Sequence, residues 1–163
     1  MEAQKMAVFV TDRVSEDNKY LHRDFHLIFN RGLDHIAGAY GEKGVEDYMR
    51  AYARNYFSAM TLDEIAKYLA DVYEREEASD DLELSLSDKE LSVKVVKCPA
   101  VTYIRSKGDE PSKYYIHSSK TLYEEIALIS GLKFEYKFYD EATGACEFTF
   151  KKPCRRCCKK KEA

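Results

Sequence analysis

Through the first half of the chain apolar side chains return every third or fourth position, and after Ser79-Asp80-Asp81 they return mostly every second one. Phe25, Phe29, Leu33, Ile36 and Tyr40 share one face of a helix predicted over 20–40, which Gly41 stops. Val45, Tyr48, Met49, Tyr52, Ala53 and Tyr56 repeat the pattern over 43–57, so a second helix packed antiparallel to the first is expected. Thr61 ahead of Leu62-Asp63-Glu64 reads as the capping box of a third helix. Leu62, Ile65, Ala66, Leu69 and Tyr73 form its inner stripe, and it is expected to fray at Glu74-Arg75-Glu76-Glu77.

The period then changes to two. Leu82, Leu84 and Leu86 alternate with polar residues, Ser87-Asp88-Lys89-Glu90 turns the chain, and Leu91, Val93 and Val95 alternate back, which predicts a hairpin. A long helix over 112–130 carries Leu122, Ile126 and Ile129 and ends at Gly131. A second hairpin sets Phe134, Tyr136 and Phe138 opposite Cys146, Phe148 and Phe150 across a turn at 140–144, which points Cys146 into the core. The class that follows is α+β: N-terminal helices on an antiparallel sheet of about four strands, in two hairpins separated by a long helix.

Composition narrows the function classes. At 163 residues, with 45% hydrophobic residues, 13 tyrosines and 8 phenylalanines, the chain can bury a core of its own, and one domain is expected over 1–150. The remaining 151–163 form a basic, cysteine-rich tail with seven Lys/Arg and one Glu. The tail therefore carries +6 of a net −3, and 1–150 carry −9, which argues against a nucleic-acid surface on the folded body. The apolar run from Met6 to Val10 is too short for a signal peptide core or a membrane span, and the cysteines form no spaced disulfide framework. A cytoplasmic protein is expected.

Several side chains are candidates for chemistry. Cys98 ends a strand before Pro99, at a strand-to-helix corner of the kind that lines pockets, and is a candidate nucleophile; a buried packing role competes. His117, just after Tyr114-Tyr115, is the best proton-transfer candidate, although no Asp or Glu three or four residues away orients it. Tyr103, Arg105, Tyr114, Tyr115 and Cys146 are candidate ligand contacts, with phenol hydroxyls supplying directed polar groups and Arg105 able to pair with a carboxylate. His22 and His26 are four apart, but lack the Glu of an HExxH motif and a third ligand, so they read as surface histidines. Cys154, Cys157 and Cys158 place three thiols within five residues, flanked by cations; a flexible tail with reactive cysteines is expected first, zinc binding if a fourth ligand were supplied is the second reading, and contact with a membrane or nucleic acid the third.

The order of motifs is itself informative. Cys98-Pro99-Ala100-Val101, a short spacer, Pro111-Ser112-Lys113-Tyr114-Tyr115-Ile116-His117, a long amphipathic helix and a closing Gly144-Ala145-Cys146-Glu147-Phe148-Thr149-Phe150 follow one another. Across Phe25 to Phe150 this order resembles the superfamily of 4-vinyl reductase-type small-molecule-binding domains, and within it the L-2-amino-thiazoline-4-carboxylic acid hydrolase-like family. The resemblance implies a mixed domain with a ligand cavity between helices and sheet. It also implies an additional Cys or His in the turn after the PSKYY-like segment, where Ile116, Ser118 and Ser119 stand here. That departure weakens the case for hydrolysis. A domain that binds a small aromatic or carboxylate-bearing molecule is therefore expected first. The alternatives are a hydrolase opening a thiazoline or amide-like substrate through Cys98 or His117, and a scaffolding subunit, for which a homodimer would speak.

Overall fold

The computed structural model describes residues 19–153. Helix α1 runs Lys19–Tyr56 with a sharp kink at Gly41 (φ 70°, ψ −176°), so the two helices expected on either side of that glycine are two arms joined with no loop. Helix α2 (Leu62–Arg75) starts at the expected cap: the Glu64 backbone N–H donates to Thr61 Oγ1, and the Thr61 N–H donates to the Glu64 carboxylate at 2.7 Å. Leu62, Ile65, Leu69 and Tyr73 are buried along its inner face. The helix does not fray into its acidic end. Glu76 caps it and is buried, accepting from Arg23 through its carbonyl at 3.3 Å and pairing its carboxylate with His26 at 2.9 Å.

Strands β1 (Leu82–Leu86) and β2 (Glu90–Val95) form the first hairpin, and β3 (Lys133–Tyr139) and β4 (Cys146–Lys151) the second. All pairings are antiparallel, in the order β1-β2-β4-β3, so β4 is central and joins the hairpins through Leu91↔Phe150, Val93↔Phe148 and Val95↔Cys146. The period-two pattern explains the burial: Leu91, Val93, Val95, Cys146, Phe148 and Phe150 lie on the covered face, while Glu83, Lys94 and Glu135 lie on the open one. One expectation fails within β3. An extra residue shifts the register after Tyr136, so Phe138 pairs with Glu147 and Tyr139 takes the place opposite Cys146. A one-residue bulge reverses the facing of every side chain beyond it, and Phe138 is left 51% exposed.

The segment between the hairpins also differs from the single long helix expected. Helix α3 (Pro99–Ser106), with Pro99 in its first turn, grows from the corner at Cys98; a 3₁₀ turn follows at Tyr115–Ser118, and α4 spans Lys120–Ile129. Ser118 and Ser119 donate from their hydroxyls to the Tyr115 and Ile116 carbonyls three residues back, which favours the tight turn over a continuous α-helix. Among the described residues no helix is long and apolar enough to cross a membrane.

Two contacts fasten these layers. The Glu125 side chain on α4, 2% exposed, accepts from Arg54 at 2.7 Å and from Arg50 at 3.0 Å, tying α4 to α1. At the other end the Cys98 N–H donates to the Thr143 carbonyl at 3.0 Å, and a Cβ on Gly144 (φ +69°) would lie 2.5 Å from the Cys98 Cβ and 2.8 Å from Val101 Cγ2. Only glycine lets the turn before β4 close on the start of α3.

Gly144→Ala should therefore destabilise the fold by about 2 kcal/mol or more, combining left-handed backbone strain with a backbone-held clash. Gly131→Ala, also at positive φ but facing open space, should cost only the strain; urea unfolding of the two variants measures the difference. Burial pulls the Glu125 carboxyl up, but the hydrogen bonds from Arg54 and Arg50 outweigh it and hold it below its ordinary value. Because the folded pKa is depressed, Glu125 should contribute stability above its unfolded pKa, lost as pH falls through the folded one. Glu125→Gln should cost about 3 kcal/mol at pH 7 and flatten the acid limb of a stability–pH profile measured by the same method.

Candidate functional site

A cavity of about 190 Å³ lies where β2, β4 and the first turn of α3 meet the C-terminal end of α2. Its floor is the covered sheet face, through Val95, Cys146 and Phe148. Cys98 and Val101 close one side and Leu69, Val72 and Tyr73 another; Tyr115 and Ser119 of the 3₁₀ region, Tyr123 of α4 and Tyr139 of β3 reach in from the remaining directions. The β3 bulge puts Tyr139 here, since an unbroken register would have presented Phe138. Rigid rings frame the floor: Tyr123 stacks on Phe148 at 5.0 Å between centroids, and Tyr136 stacks on the same ring at 6.0 Å and 4°.

The wall is apolar with a few directed polar groups: thiols, phenols, serine hydroxyls and the His26–Glu76 pair. Burial pushes the Cys146 thiol up to about 12 and raises Cys98 as well, the N–H groups of Val101 and Ala100 offsetting part of the rise. Burial likewise raises the phenols of Tyr73, Tyr115, Tyr123 and Tyr139, so each keeps its proton at neutral pH. Ser119 Oγ lies 2.8 Å from the Tyr136 hydroxyl. His26 and Glu76 pair at 2.9 Å in the wall, and among the described residues neither lysine nor arginine lines the cavity.

Of the residues singled out from sequence, the fold brings Cys98, Cys146 and Tyr115 to this cavity. His117 is not among its lining residues. It is buried, with Nδ1 2.7 Å from Thr121 Oγ1 and Nε2 3.2 Å from a Glu42 carboxylate oxygen. Tyr103 donates its hydroxyl to Asp24 at 2.6 Å, which raises its pKa, and Arg105 is engaged by the Ala142 carbonyl and by Glu110. Tyr114 lies beneath the Lys113 ammonium, 4.9 Å from its ring centre. These three also lie off the cavity. Cys154, Cys157 and Cys158, with the zinc expectation attached to them, lie outside the described residues, as does the His22 side chain.

The reading of His26 as a surface histidine is corrected: its side chain is largely buried against Glu76 and lines the wall, and Glu76 itself was passed over. A signal for Glu76 existed: Leu69, Tyr73 and Glu76 continue the inner stripe of α2 at spacings of four and three, marking this one glutamate of the acidic run as inward. His26 adjoins Phe25 on the first helix, and its contact with Glu76, fifty residues later, is one that no local pattern announces.

No protein-family model matches the chain, and neither the curated proteins nor the solved structures provide a significant match. The wall itself generates a direct expectation. In a Cys154→Ser/Cys157→Ser/Cys158→Ser variant, both remaining thiols should react with an aromatic disulfide reagent at pH 8 at least a hundredfold more slowly in the native protein than after unfolding in urea. Absorbance of the released thiol follows the rate, and a fast native phase would mean that the thiols are open to solvent and ionised.

Proposed function

We propose that this protein is a small-molecule-binding domain of the 4-vinyl reductase type, with its ligand held in the cavity between α2, α3 and the covered sheet face. The observation that carries this reading is the wall: apolar and aromatic surface with convergent thiol, hydroxyl and imidazole–carboxylate groups around about 190 Å³. Apolar cavities of about 150 Å³ hold benzene, so this one suits a molecule of a single ring. Among the described residues the wall holds the carboxylate of Glu76 and neither lysine nor arginine, which favours a neutral ring over a carboxylate-bearing one.

A second reading is favoured by one juxtaposition. Cys98, His26 and Glu76 line the same cavity, with Glu76 against His26 at 2.9 Å, an order of roles that suits a thiol nucleophile, a base and the group orienting it. In a ring-opening hydrolase His26 would then replace His117 as the base. The raised pKa of Cys98 weighs against it, since the thiolate is the nucleophile.

Calorimetric titration with phenol and with benzoate tests the first reading: phenol should bind, benzoate should bind at least tenfold more weakly, and Val72→Phe, which fills the cavity, should abolish phenol binding while circular dichroism stays native. Equal affinity for the two probes, or binding indifferent to Val72→Phe, would remove the cavity from the account. Turnover of an amino-thiazoline carboxylate that vanishes in both Cys98→Ser and His26→Gln would instead establish the hydrolase.

A further inference from the structure

The buried histidine that lies off the cavity has a setting of its own. His117 is 3% exposed, and its ring is oriented from behind by the Thr121 hydroxyl on Nδ1. Nε2 therefore faces the second arm of α1, where Glu42 and Glu46 stand one helical turn apart just beyond the Gly41 kink. One ligand atom from each of Glu42, Glu46 and His117 can be chosen so that all three lie within 4.8 Å of one another.

The charges around this cluster are unbalanced. Two carboxylates at i and i+4 repel. Arg50, one turn beyond Glu46, is engaged by Glu124 and Glu125, and Lys43 by Asp47. Among the described residues Glu46 has no ion pair with a lysine or arginine, and Glu42 pairs only with His117. His117 meets one of the two carboxylates, Glu42, and leaves Glu46 unanswered.

We propose that Glu42, Glu46 and His117 form a site for a first-row divalent cation. Two carboxylate oxygens and one imidazole nitrogen make a hard-to-borderline ligand set, suited to Mn²⁺, Fe²⁺ or Zn²⁺ and poor for soft ions. Thr121 has the position of an outer-sphere partner, fixing the ring so that Nε2 is the ligating nitrogen. Metal–ligand bonds of about 2.0–2.2 Å require the carboxylates to draw in by roughly an ångström. The Glu42 side chain, 65% exposed, is free to do so. Its exposure also leaves the outer coordination positions to water, so the site is an open one. Because Tyr115 and Ser118 of the same 3₁₀ turn line the cavity, a bound cation would tie one cavity wall to α1. The assignment does not depend on what the cavity binds.

The test is titration of the full-length protein with Mn²⁺, followed by loss of the free-ion electron paramagnetic resonance signal. Mn²⁺ is chosen because thiolates bind it poorly, and the experiment is repeated in the Cys154→Ser/Cys157→Ser/Cys158→Ser variant. One equivalent should bind in both backgrounds. Glu46→Gln and His117→Gln should each weaken binding at least tenfold, whereas Glu83→Gln, on the open sheet face, should leave it unchanged. Should His117→Gln fail to fold, the half-exposed Glu46→Gln decides the matter. Absence of binding at millimolar Mn²⁺, binding lost with the tail cysteines, or binding indifferent to Glu46→Gln would overturn the site.

Discussion

The close approach of Gly144 to the first turn of α3 is the constraint on which the cavity depends. A side chain at 144 would occupy the space of the Cys98 and Val101 side chains, so the turn before β4 can close only over a bare backbone. The hydrogen bond from Cys98 N–H to the Thr143 carbonyl completes that closure. Its effect is to bring the end of one hairpin against the beginning of the other. Cys98 and Cys146, 48 positions apart in the chain, thereby come to line the same space.

A cavity persists there because the surrounding side chains are too rigid to collapse into it. Tyr123, Phe134 and Tyr136 all pack on Phe148, with centroid separations of 5.0 to 6.0 Å. Aromatic rings with two rotatable bonds cannot relax into a gap as a methionine can. The phenol hydroxyls then give an otherwise apolar space its few polar contacts, and burial keeps them protonated. The same burial that gives the cavity its apolar wall suppresses the ionised thiol that nucleophilic catalysis requires.

Charge is placed inside this fold sparingly and always across elements. Glu125 binds two arginines of α1, and Glu76 meets His26 and Arg23 of the same helix. A buried carboxylate without partners would be costly, so each of these glutamates holds a helix at a defined distance from α1. Removing a partner would cost far more than any exposed pair such as Lys67–Asp71 contributes. The cluster at Glu42, Glu46 and His117 departs from this rule: among the described residues Glu42 pairs with His117 and Glu46 forms no ion pair with a lysine or arginine.

Local pattern was enough for the class, both hairpins, the Thr61 capping box and the inward face of Cys146, because each rests on residues within one or two turns or on adjacent strands. It misplaced Phe138 and Tyr139, since a bulge is set by how two strands pair and leaves no mark on the alternation of one. It extended a helix through Tyr115–Ser118, because the serine hydroxyls that favour the 3₁₀ turn compete with helical bonding in a way that periodicity does not register. Cys98, Cys146 and Tyr115 were legible as candidates from residue type and position, but their convergence was not. His26 beside Glu76 and His117 beside Glu42 join residues 50 and 75 positions apart. Contacts of that range come from packing helices onto a sheet, which short-range periodicity does not encode.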